Sequence, residues 1–168
     1  MKISKISFRL GAILFVSSVL FACKKKNDVP ANEITESSAL EIYTSWSLTD
    51  NSSATVGADI DVLLVKGNIT SESQLAALPI SDLIDYSDND SDFETMNLPS
   101  SLADGDYSVI LDYYDIQKAG KYTIRFKGTA SGKIYSFADV AFAVAEDGST
   151  KFPVRITKSG QKFTVSPR

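Results

Sequence analysis

Residues 105–128 read GDYSVILDYYDIQKAGKYTIRFKG, and their pattern decides the fold. Tyr107, Val109, Leu111 and Tyr113 recur at every second position, and Tyr122, Ile124 and Phe126 resume the same beat after a break. A period of two belongs to a half-buried β-strand, because successive side chains leave the backbone on opposite faces. The Ala119-Gly120 step between the two runs supplies the turn.

The same beat extends in both directions. Ile42, Thr44, Trp46 and Leu48 form one face of an earlier strand, and Ile60, Val62 and Leu64 another, with Asp59 and Asp61 on its opposite face. Residues 133–144 predict a long strand with Ile134, Ala138, Val140, Phe142 and Val144 together. Phe152, Val154 and Ile156 follow, then Phe163 and Val165. Turn signals at Asp50-Asn51, Lys66-Gly67, Ser131-Gly132, Asp147-Gly148 and Ser159-Gly160 separate these runs, and the last four strands read as a meander of hairpins. Only Ser71 to Leu78 suggests a helix, with Ser71 and Gln74 spaced for a capping box and Pro79 as its stop. The expectation is an all-β, antiparallel β-sandwich (jelly-roll or immunoglobulin-like) over residues 39–168, with about seven or eight strands and at most one short helix. A closed barrel is the alternative. An outer-membrane barrel is not expected, because the strands lack a uniform outward apolar face.

The chain of 168 residues is 43% hydrophobic and 23% charged, a size and balance for one globular domain. It has no histidine and one cysteine, Cys23, which removes histidine triads, histidine proton shuttles and ordinary zinc or iron sites.

The lone cysteine sits in an informative context. Lys2, Lys5 and Arg9 precede an uncharged run from Leu10 to Phe21, too short to span a bilayer as a helix, which takes about 20 residues. A basic start and a short apolar core mark residues 1–22 as a secretory signal peptide. Leu20-Phe21-Ala22-Cys23 resembles the lipobox of bacterial lipoproteins. The resemblance implies cleavage between Ala22 and Cys23 and acylation of the cysteine on its thiol and new amino group. Two or more acyl chains, at about 0.8 kcal/mol per buried CH₂, make a stable anchor in membrane lipid. Lys24, Lys25 and Lys26 stand where lipid phosphates would meet them. In similar lipoproteins an aspartate after the cysteine favours the inner membrane, and Lys24 in that place points to the cell outer membrane. Residues 23–38 are expected to be the lipidated cysteine and a flexible tether, whose fifteen residues after Cys23 reach roughly 50 Å when extended.

Without residues 1–22 the chain carries fourteen bases against twenty-one acids, a net charge of −7. Residues 27–115 hold eighteen of the acids and a single base, Lys66, whereas residues 116–168 hold ten bases and three acids. An acidic whole with a short basic half gives no support to a nucleic-acid partner. In a sandwich the halves interleave, so neutralisation between neighbouring strands is the expected result.

A second resemblance concerns the folded part. Asp59-Ile60-Asp61-Val62-Leu63-Leu64-Val65 and Ala119-Gly120-Lys121-Tyr122-Thr123-Ile124-Arg125-Phe126, the latter echoed by Gly105-Asp106-Tyr107-Ser108-Val109, are similar to segments of bacterial pre-peptidase C-terminal domains. The resemblance implies a small jelly-roll-like sandwich without catalytic residues, in a family some of whose members bind calcium or polymeric substrates.

Three groups of residues are candidate sites. Asp82, Asp85, Asp88, Asp90, Asp92 and Glu94 crowd thirteen positions without a base. Calcium takes six to eight oxygen ligands, and Asp88, Asp90 and Asp92 begin like an EF-hand loop before Phe93 and Pro99 depart from it. An irregular calcium loop and a solvated acidic loop are both open. Among the aromatics, Tyr113 and Tyr114 are adjacent on a strand and must face opposite ways. Tyr43 and Tyr135 are further candidates for exposed rings, and Trp46 reads as core. For catalysis, no nucleophile elbow, phosphate loop or glycine fingerprint appears. A hydrolase would need two carboxylates facing each other about 5 to 9.5 Å apart.

The expected function is that of a lipid-anchored envelope lipoprotein with a non-catalytic binding or accessory domain, its partner an envelope protein or glycan. The alternatives are a carbohydrate-binding module, with or without calcium, and a small carboxylate hydrolase.

Overall fold

Ile42, Thr44, Trp46 and Leu48 all point into a two-layer β-sandwich, in a computed structural model that describes residues 30–168. Residues 1–22, read as a signal peptide, Cys23 and Lys24 to Lys26 lie outside the described residues. Ten strands are described: β1 (Glu33–Thr35), β2 (Ala39–Leu48), β3 (Ala58–Lys66), β4 (Leu83–Ser87), β5 (Phe93–Pro99), β6 (Gly105–Ile116), β7 (Gly120–Gly128), β8 (Ile134–Phe142), β9 (Thr150–Ser159) and β10 (Lys162–Pro167). They form a six-stranded sheet in the order β1-β10-β9-β6-β3-β4 and a four-stranded sheet in the order β5-β2-β7-β8. Every pairing is antiparallel. The all-β sandwich read from the alternation is the observed fold.

The core lies between the sheets. Ile60, Val62, Leu64, Tyr107, Val109 and Leu111 of the larger sheet meet Leu40, Ile42, Trp46, Ile124 and Phe126 of the smaller one. Trp46 is 5% exposed and its indole Nε1 donates to the Ala58 carbonyl at 3.1 Å, so the one polar atom of the ring is satisfied inside the core. Tyr113 and Phe142 pack across the sheets with ring centroids 5.8 Å apart. Gly120 is pressed between β2 and β8: a Cβ there would collide with the Ser47 carbonyl and the Phe142 ring.

The one short helix, α1 (Glu72–Ala76), is present with Ser71 as its cap. Ser71 Oγ accepts from the Gln74 amide at 3.4 Å, while Gln74 Oε1 accepts from the Thr70 amide at 2.8 Å, one residue before the reciprocal bond of a full capping box. Beyond the helix, Leu75 and Leu78 pack with Val65, Ile69, Ile110 and Phe152 in a small second cluster on the outer side of the six-stranded sheet.

Several expectations are corrected. Strands number ten, not seven or eight, because β1, β4 and β5 lie in acidic or short stretches whose apolar beat is thin. The tether expected through Ser38 ends earlier. Ile34 is fully buried, β1 pairs with β10, and Glu36 accepts from the amides of Ser131 and Ser38 at 2.8 Å and of Ala130 at 3.0 Å. Those amides, the Ser131 amide foremost, hold the Glu36 carboxyl down at about 2. The last four strands are two hairpins on different sheets, β7–β8 and β9–β10, joined by a 3-10 turn at Val144–Glu146 that carries the chain across. In β8 the inward residues are Tyr135, Phe137, Val140 and Phe142, whereas Ile134 and Ala138 are exposed. A bulge causes this: Asp139 adopts φ 59°, one extra residue enters between Phe137 and Val140, and the alternation changes phase.

Candidate functional site

Because Ile60, Val62 and Leu64 face inward, Asp59 and Asp61 must face the outer side of the six-stranded sheet, where Asp61 is nonetheless buried. The register of β3 with β6 sets Asp61 directly opposite Asp112. A shift between Asp59 and Ile60 absorbs one residue of β6 and sets Asp59 opposite Asp115. Two like-charged cross-strand pairs therefore stand side by side, an arrangement that destabilises a sheet.

Around them the chain builds a hollow. Tyr86 of β4 donates its hydroxyl to Asp61 Oδ2 at 2.9 Å. The turn after β4 brings Asp88 and Asp90 to the rim, and Tyr114 forms another wall, leaving a volume of about 330 Å³ lined by these residues with Asp59 and Asp61. A neighbouring hollow of about 360 Å³ shares Asp59 and Asp90 and adds Asp115, Ser91 and Thr55. Desolvation pushes the carboxyls of Asp59 and Asp61 above the ordinary aspartate range, and the surrounding acids push the same way. Desolvation and the bond to Asp61 raise the Tyr86 hydroxyl to about 12.

The loop that carries Asp88 and Asp90 is held by a buried acid. Glu94 is 1% exposed and accepts from the Asn89 amide and from Asn89 Nδ2, both at 2.8 Å, and from Ser87 Oγ. Of the three aspartates singled out for calcium, Asp88 and Asp90 reach the hollow. Asp92 is exposed outside it, its backbone carbonyl accepting from the Trp46 amide at 3.1 Å. Among the described residues no three acidic, histidine or cysteine side chains are arranged as a metal cage. Asp85 is occupied on the edge strand, where its oxygens accept from the Tyr86 and Asn97 amides. Asp59, Asp61, Asp112 and Asp115 did not stand out as a group in the sequence. Their only signal was two acids at alternate outward positions of β3 and two near the end of β6, and the register that joins them is a tertiary fact.

The aromatic candidates separate. Tyr113 is 2% exposed and Tyr114 70%, on opposite faces as adjacency requires. Tyr135 packs on Phe126 against the core. On the outer face of the four-stranded sheet Tyr43 stacks on Phe93, with centroids 5.5 Å apart and planes at 22°, and the Arg125 guanidinium lies 4.7 Å from the Tyr43 centroid on its other side. Three adjacent strands thus contribute one row of flat groups.

No protein-family model and no curated protein matches this chain.

Proposed function

We propose that the chain is a lipid-anchored lipoprotein of the cell envelope, held in the outer membrane through acylated Cys23, and that its sandwich is a non-catalytic binding module. In this reading the acidic hollow takes a cationic ligand, with calcium the first candidate. The observation that carries it is the pair of facing aspartates, Asp59 with Asp115 and Asp61 with Asp112. Uncompensated like charges cost stability, and a bound cation turns that cost into affinity. Thermal melts of the purified chain in chelator, calcium and matched magnesium test it. Calcium at a hundredfold excess over its dissociation constant stabilises by about 2.7 kcal/mol, on the order of 10 °C for a domain of this size. Equal midpoints in calcium and magnesium would remove the selective site.

A carbohydrate-binding module is the second reading, and the stacked Tyr43–Phe93 pair favours it. The side of Phe93 away from Tyr43 offers a sugar an apolar surface without a cleft. Phe93 is 42% exposed, so half of its ring is open to such a contact.

A further inference from the structure

The outer face of the four-stranded sheet carries more than rings. Lys121, Arg125 and Lys127 all leave β7 on this side, since Tyr122, Ile124 and Phe126 between them are buried. The three bases therefore run along an interior strand of the sheet, with about 13 Å from Lys121 to Arg125 and about 7 Å on to Lys127. The acids on these strands' exposed positions are Glu41, opposite Lys127, and Asp139 at the β8 bulge. Among the described residues neither Lys121 nor Lys127 forms an ion pair.

Arg125 is the telling group. Its guanidinium lies over Tyr43, its nearest carboxylate oxygen is Glu41 Oε1 at 4.0 Å, and its Nε is buried with no hydrogen-bond partner. The ring therefore holds the guanidinium, and its terminal Nη1–Nη2 fork, 4.0 Å from Glu41, makes no hydrogen bond among the described residues, whereas the buried Nε is closed to a ligand. A pre-oriented fork of that kind matches a carboxylate or sulfate bidentately.

We propose that this face binds an extended polysaccharide bearing carboxylate or sulfate groups, with a sugar ring on the exposed side of Phe93 and an acid group on Arg125, which Tyr43 holds in place between them. The proposal rests on the carbohydrate reading above and adds the charge of the ligand. Lys121 and Lys127 extend the attraction along the polymer. The acidic hollow does not oppose it. That hollow lies on the outer side of the other sheet, across a sheet spacing of about 10 Å, so a ligand on this face does not contact it.

The test uses the full chain purified in detergent, with affinity electrophoresis through two matched pairs of polymers: polygalacturonate against its methyl ester, and dextran sulfate against dextran. The expected result is retardation by at least one acidic polymer, at least tenfold stronger than by its neutral counterpart, and weakening as salt is raised. Arg125→Ala and Tyr43→Ala should each reduce it at least tenfold, with circular dichroism unchanged. Arg125→Lys, which keeps the charge and the fold but loses the fork, should also fall short of wild type. Equal retardation by the neutral and acidic members overturns the charge assignment while leaving a carbohydrate module in place. No retardation by any of the four overturns both. Arg125-dependent retention on phosphatidylglycerol over phosphatidylcholine vesicles, without Arg125-dependent polymer binding, would assign the face to a membrane surface and overturn the proposal.

Discussion

Lys158 Nζ lies 3.1 Å from Asp104 Oδ1, and the two ends of this pair live in different solvents: the lysine side chain is 2% exposed, the aspartate 59%. Removing either partner is therefore not equivalent. Asp104→Ala leaves a buried ammonium 6.0 Å from the Phe163 ring without its carboxylate, also removes the acceptor of the Gly160 amide, and should cost several kcal/mol, in the range of about 3–5 seen when one half of a buried pair is lost. Lys158→Met leaves a solvated carboxylate and a filled core, and should cost under about 1.5 kcal/mol. Urea unfolding of the two variants measures the difference; equal costs would mean that the lysine is hydrated.

Trp46→Ala should cost about 3–5 kcal/mol, since it opens a large cavity and strips the Ala58 carbonyl of its partner. Against a total stability of roughly 5–15 kcal/mol this comes close to unfolding the domain. Trp46→Phe separates the two effects, because it keeps most of the volume and loses the hydrogen bond, at about 1 kcal/mol for the bond alone. Denaturant midpoints check both.

Asp61→Asn should stabilise the protein at neutral pH, by about 0.5 kcal/mol, because it removes one like-charged partner while leaving an oxygen for the Tyr86 hydroxyl. The sign follows from the raised carboxyls of Asp59 and Asp61. A raised carboxyl opposes folding above its folded value and ceases to do so below the unfolded one, near 4. If calcium occupies the hollow, the same variant loses the calcium-specific gain, so one substitution raises the midpoint in chelator and lowers it in calcium.

Glu36 works the other way. Its carboxyl sits at about 2 against an ordinary value near 4.3, so its contribution is complete above about 4.3 and disappears as pH falls through 2. Glu36→Gln should flatten the loss of stability over that window, and acid titrations of wild type and variant followed by tryptophan fluorescence would show it.

Cys23→Ser tests the anchor. The variant should lose label from a fatty-acid analogue and keep residues 1–22; undiminished labelling would sink the lipoprotein reading.

The legible parts of the fold are those in which one residue's neighbours decide its state. Period-two runs such as Tyr107 to Tyr113 announced their strands, and Ser71 with Pro79 announced the helix, because burial on one face and capping are local demands. What stayed hidden depends on partners distant in sequence. Ile34 is a lone apolar residue among polar ones until β10 lies beside it. The phase of β8 turns on Asp139 taking a left-handed conformation, which no neighbouring residue announces. The acidic loop was visible as composition, yet its facing aspartates come from β3 and β6, about fifty residues apart, and their register passes through a bulge.

The pairing of β1 with β10 is also a reserve of reach. Three residue pairs, the buried Ile34, the Glu36 carboxylate and the Asn32 contacts to Val165 fasten the segment around β1 to the domain, and β10 remains paired to β9 without it. A pull on Pro30 strong enough to strip β1 would release residues 30–38, adding about 30 Å of extended chain while the rest of the sandwich stays shut. It would also bare the backbone edge of β10, whose open amides and carbonyls would then accept a strand from another molecule. Tension at one end of the domain would in this way expose a docking edge that the relaxed protein keeps covered.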